Sequence, residues 1–171
     1  MNRRNILGLS AIATLGLALL PGSAVSQQKT LKDQLVGTWT LVSYDSIGND
    51  GSKKAVFGAQ PKGTLMMDAG GHYAMVLADP GRAKWPSNLR TDVPTEQLAS
   101  AAKGLVAQFG DWSVDEATKT MTRKVAGALS PSLAGIEQKV TIALSGDELK
   151  VLTATSGVTG TRTETVFRRA K

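Results

Sequence analysis

From Gly37 onward, apolar and polar residues alternate in short runs, and turn-forming residues separate one run from the next. A period of two places successive side chains on opposite faces of an extended strand. The first run extends from about Gly37 to Ser46, after a short helical turn at Leu31 to Leu35. Runs at Lys62 to Asp68 and His72 to Asp79 flank Asp68-Ala69-Gly70-Gly71, where glycine allows the backbone angles of a tight hairpin. Two more hairpins are predicted. One joins Asp111–Asp115 to Lys119–Ala126, and the other joins Gln138–Leu144 to Glu148–Thr155 around Ser145-Gly146-Asp147. A last run covers about Gly160 to Arg168. Eight strands in this rhythm predict an all-β barrel or sandwich.

One segment departs from the period of two. Between Pro94 and Phe109, the residues Leu98, Ala101, Ala102, Leu105, Val106 and Phe109 recur at helical spacing and predict an amphipathic helix. Pro94 suits its first turn, Glu96 suits its electropositive start, and Gly110 is placed as its stop. Such a helix is either a lid over a cavity or a cover for an apolar surface.

An ordered series of motifs resembles the bacterial lipocalin-like domain family. It begins with Leu35-Val36-Gly37-Thr38-Trp39-Thr40-Leu41-Val42-Ser43-Tyr44, followed by Lys62-Gly63-Thr64-Leu65-Met66 and Gly71-His72-Tyr73. Phe109-Gly110-Asp111-Trp112, Gly135-Ile136-Glu137-Gln138, Leu144-Ser145-Gly146-Asp147-Glu148-Leu149 and Phe167-Arg168-Arg169 continue it. The resemblance implies an eight-stranded antiparallel barrel with one inserted amphipathic helix. Members of the family mostly lack an assigned activity. Where relatives carry aromatic residues around a Pro-Asn, this chain has Leu129-Ser130-Pro131-Ser132-Leu133-Ala134.

In a barrel, alternate residues of each strand point into the lumen. The apolar set supplies the cavity candidates Trp39, Leu41, Leu65, Met67, Tyr73, Met75, Leu77, Trp112, Met121, Val140 and Ile142, and Arg123 falls on the same face between Met121 and Val125. Eight strands enclose an interior that is either filled by side chains or holds one small ligand. Methionines at 67, 75 and 121 repack easily around a guest, but they are equally ordinary core residues. Arg123 either anchors a ligand carboxylate, pairs with Glu137 or Glu164, or is turned outward by a bulge. In lipocalins an arginine of the final strand covers the first-strand tryptophan, a part open here to Arg168 or Arg169 over Trp39. The loop Asp79 to Arg90 offers Arg82 and Trp85 as rim candidates, with Lys84 and Arg90 adding positive charge.

Residues 1–26 are predicted as a signal peptide and residues 27–171 as the barrel domain. Met1 to Asn5 is a basic head, Ile6 to Leu20 is apolar, and Ala24 and Ser26 fit the positions a signal peptidase reads. The paired Arg3-Arg4 also resembles a twin-arginine signal. Cleavage before Gln27, or after Ala24, would leave a periplasmic or secreted protein without a stable membrane anchor. The chain has no cysteine, so neither a disulfide nor a cysteine-linked lipid is available to it. Its net charge of +6 comes from scattered residues, and aromatics make up 5% of the sequence. That pattern argues against nucleic acid, which calls for a contiguous basic face with stacking platforms.

Catalytic chemistry has few carriers. His72 is the sole histidine, so a zinc site would rest on carboxylates. No nucleophile elbow, phosphate loop or dinucleotide fingerprint occurs. An isomerase or cyclase would have to gather Tyr73, His72 and Asp79 at the barrel mouth. The sequence therefore predicts a carrier or binder of a small apolar or amphipathic molecule, with an anionic head group compatible, requiring no metal or other cofactor. The alternative is a non-catalytic envelope or interaction protein with a filled barrel.

Overall fold

The computed structural model describes residues 29–171, so the signal peptide and cleavage site expected from the sequence lie outside the described residues. The chain runs through α1 (Leu31–Leu35), β1 (Gly37–Ile47), β2 (Lys53–Ala55), β3 (Lys62–Met67), β4 (His72–Ala78), α2 (Thr95–Lys103), β5 (Leu105–Asp115), β6 (Thr120–Ala128), β7 (Glu137–Ser145), β8 (Glu148–Thr153) and β9 (Thr163–Arg169). Single 3-10 turns occur at Arg90–Asp92 and Pro131–Leu133. All strand pairs are antiparallel, from β1 through β3, β4, β5, β6, β7 and β8 to β9, and β9 returns to β1. The result is a closed eight-stranded barrel. The short β2 stands outside this ring and pairs with Asp45–Ile47 of β1, beyond the stretch Gly37–Thr40 that β3 occupies.

Alternation explains the closure. Trp39, Leu65, Met67, Tyr73, Leu77, Met121, Val140, Ile142, Leu149, Val151 and Phe167 are buried in one core, while their strand neighbours face outward. Burying each such side chain contributes about 1.5–3 kcal/mol, and rolling the sheet hides all of them at once. A bulge between Leu41 and Ser43 shifts the register of β1 against β9. Beyond it Tyr44 rather than Ser43 turns inward, with its ring edge against Phe57 at 5.2 Å.

One barrel end is sealed. Thr30 and Asp33 form a reciprocal capping box that starts α1, and Leu35 and Trp39 are fully buried beneath it. The Trp39 indole Nε1 donates to the Leu35 carbonyl at 2.9 Å. Of the two candidate arginines, Arg169 covers this ring, its guanidinium carbon 4.2 Å from the ring centre, and donates to the Val36 carbonyl at 3.2 Å. Register makes the choice. Arg169 is the direct partner of Trp39, whereas Arg168 lies opposite Thr40 on the outer face.

The predicted helix over Pro94 to Phe109 is half right. α2 stops at Lys103, with Gly104 as its C-cap, and the residues from Leu105 belong to β5. β4 provides the reason: its whole length, from Ala78 to His72, pairs with Leu105 to Asp111. Left helical, that stretch would expose a bare strand edge and break the ring, a far larger cost than helix propensity can offset. Leu98 and Ala101 of α2 are only half-buried, and Phe109 is 57% exposed, lying over Gly127 on the outside of the barrel. Gly110 is therefore a residue within β5, opposite the bulge at Ala126 of β6, and not a helix stop.

A side chain at Gly110 has no room, because a Cβ there would lie 2.0 Å from the Lys124 carbonyl oxygen. Gly110→Ala should lower stability in a urea melt by about 3 kcal/mol. Gly135→Ala serves as the comparison. Its φ is +81° but nothing lies within 4 Å, so the expected loss is about 1 kcal/mol. Equal losses at the two sites would refute the close-approach argument.

Candidate functional site

The two barrel ends differ in their connections. Short hairpin turns at 68–71, 116–119 and 146–147 lie at the end that α1 seals, where the Leu31 amide donates to Glu116 at 3.0 Å. The longer connections 48–61, 79–104, 129–136 and 154–162 all emerge at the opposite end. A cavity of about 140 Å³ opens there. Leu65, Met75, Met121, Arg123 and Phe167 line its inner part, Leu77, Val151 and Tyr44 its walls, and Leu129, Leu133 and Val158 its mouth.

Candidates chosen from the sequence divide between the two halves. Leu65, Met75, Leu77, Met121 and Arg123 line the cavity. Trp39, Leu41, Met67 and Tyr73, with Trp112, Val140 and Ile142, are buried in the packed core and do not line it. Arg82 and Trp85 do not reach it either. Arg82 is folded back on its own loop, its Nε donating to the Asp79 carbonyl at 3.1 Å and its methylenes lying against Gly104.

Tyr44 and Gln108 line the cavity without having been chosen from the sequence. Tyr44 is brought in by the β1 bulge, and its hydroxyl shares a 2.8 Å hydrogen bond with Ser156, tying the 154–162 connection to the barrel wall. Burial pushes the Tyr44 phenol above its ordinary pKa. Gln108 was assigned to the helix, yet as part of β5 it faces inward by the same alternation that buries Gly110 and Trp112. Its Nε2 donates to Gln138 Oε1 at 3.1 Å and to the Tyr73 hydroxyl at 3.3 Å. Burial raises the Tyr73 pKa, opposed by the positive charge of Arg123 and by the Gln108 bond. Glutamine within an otherwise apolar strand was the available signal.

Arg123 is the one charged residue among those lining the cavity, and it is 6% exposed. It sits directly between Trp112 of β5 and Gln138 of β7. Neither carboxylate expected for it is there. Glu137 points outward beside its strand partner Lys124, 3.2 Å away, and Glu164 takes Lys53. No bulge turns Arg123 out, so the remaining alternative also fails. Its Nη1 lies 3.7 Å from the Met75 sulfur, a weak acceptor, and its Nε has no partner among the described residues. Burial draws its pKa down. The guanidinium nonetheless keeps its proton, because its intrinsic pKa is so high.

His72 and Asp79 do not join Tyr73 in a catalytic group. His72 faces solvent at the sealed end, where the Asp68 carboxylate accepts from its Nδ1 at 3.0 Å and raises its pKa. Asp79 lies at the far end of β4, its carboxylate accepting from the Gly81 amide at 2.7 Å. Tyr73 points into the core between them. The geometry thus disperses the one constellation from which isomerase or cyclase chemistry was conceivable.

With the ring closed and its register known, comparison with known proteins becomes informative. A profile of the lipocalin-like domain matches residues 36–170, nearly the entire barrel. The chain belongs to the lipocalin-like domain family. No curated protein matches it. Among solved structures, this lipocalin-like chain is similar to a lipocalin-like protein from Bacteroides uniformis ATCC 8492, at 15% identity and a TM-score of 0.43, over 80% of this chain and 98% of that one.

An unpaired charge inside a folded protein carries a desolvation cost of several kcal/mol. Replacing Arg123 with Met keeps the bulk and removes the charge. Arg123→Met is therefore expected to stabilise the unliganded protein by about 1–4 kcal/mol in a denaturant melt. A loss of similar size would reveal that the guanidinium already has a compensating partner.

Proposed function

We propose that this lipocalin-like protein is an exported binder of one small, largely apolar molecule held in the open half of its barrel. The carrying observation is the cavity of about 140 Å³, walled by Leu65, Met75, Leu77 and Val151 and reached between the long connections. A cavity of about 150 Å³ lined by such side chains is known to accept a benzene ring. That size favours a guest of one ring or a short chain and disfavours a bulky polycyclic one.

Methyl NMR of labelled methionines offers a direct test. Met75 and Met121 line the cavity, whereas Met66 points outward, so toluene should shift the first two saturably and leave the third unmoved. The expected Kd is on the order of 0.1–1 mM, about 4–5.5 kcal/mol of binding. Val151→Phe, which fills the cavity, should abolish the shifts. Absence of saturable shifts in the parent protein would favour the alternative of a solid barrel with an interaction role.

Export rests on the basic head, apolar stretch and small-residue segment of residues 1–26. N-terminal sequencing of protein recovered from periplasm or medium should begin at Gln27 or Val25. A chain that retains residues 1–26 inside the cell would overturn export and leave the binding proposal intact.

A further inference from the structure

We propose that the guest is a small monocarboxylate, its carboxylate seated on Arg123 and its apolar body directed toward the barrel mouth; this rests on the reading of the barrel as a small-molecule binder. A buried guanidinium offers five N–H donors in a planar fork that matches a carboxylate. Among the described residues Arg123 spends this fork on a thioether alone, leaving Nε without an acceptor. Every other side chain lining the cavity is uncharged, so no internal carboxylate competes for the site.

Neighbouring groups suit the same ligand. Gln138, the cross-strand partner of Arg123, accepts from Gln108 through Oε1, which leaves its own amide N–H groups to donate. Both glutamines line the cavity beside Arg123. The charge balance sets the valence. One guanidinium neutralises one negative charge, whereas a dianion such as phosphate would leave an excess charge in a low-dielectric interior. Leu65, Met75 and Phe167 adjoin the seat and provide apolar contact for a ring or short chain. Carboxylate binding would thereby compensate the charge that folding buries without a partner.

Benzoate and its neutral isostere benzamide separate charge from shape, and toluene tests the cavity by itself. In titrations followed by the Met75 and Met121 methyl signals at neutral pH, benzoate should bind about tenfold or more tightly than benzamide. Inorganic phosphate should not displace it. Arg123→Met should lose at least about tenfold in benzoate affinity while holding toluene within about threefold, which certifies a folded cavity. Arg123→Gln serves in its place if the Met variant does not fold. Benzamide binding as tightly as benzoate, or benzoate affinity surviving loss of Arg123, overturns the anion seat. Toluene binding without benzoate binding overturns the seat but spares the barrel as a binder. Failure of both ligands overturns both proposals.

Discussion

When Trp39 to Ser46 of β1 hydrogen-bond to Arg169 to Thr163 of β9, the sheet loses its last free edge and acquires an interior. An open sheet of this sequence would leave two strand edges and one largely apolar face in water. Closure removes both problems together, which is why local preferences yield to it wherever they conflict. The conversion of Leu105–Phe109 from expected helix to strand is the clearest case, since β4 would otherwise be paired by β3 on one edge and left bare on the other along most of its length.

The same ring is packed at one end and hollow at the other, for reasons that can be traced to its connections. Short hairpins and α1 bring Leu35, Trp39 and Arg169 together at the sealed end, with the indole hydrogen-bonded to Leu35 and stacked under the guanidinium. At the opposite end Phe57 of the 48–61 connection packs against Tyr44, yet the cavity stays open. There α2 lies with only Leu98 and Ala101 half-buried, and the connections contribute small or aliphatic side chains such as Ser130, Leu133 and Ser156 to the cavity wall. The bulge in β1 adds Tyr44 to the lumen and β5 adds Gln108 by plain alternation, so the open half carries polar groups beside its apolar wall.

Arg123 brings stability and function into tension. A filled, uncharged interior would be the more stable solution, because removing an unpaired ion from a low-dielectric core relieves a penalty of several kcal/mol. Retaining it where the cavity ends creates a place where an anion from outside lowers the energy of the folded state. Binding energy at such a point comes from completing an interaction the fold has left incomplete, and the apolar wall need only select for size.

Alternation in the sequence established most of the architecture: the strands, the inward set from Trp39 to Val151, and the family motifs follow from side chains that must take opposite faces of a half-buried strand. It also placed Arg123 inside. Three features depended on the folded chain. The extent of β5 depended on the edge of β4 that it covers, and the inward turn of Tyr44 depended on the β1 bulge that resets the period of two. The state of Arg123 depended on where Glu137 and Glu164 point, because an ion pair is decided by distance across strands. Sequence periodicity reports which face a residue takes within its own strand; only the closed ring fixes which residues of other strands stand beside it and how much space is left between them.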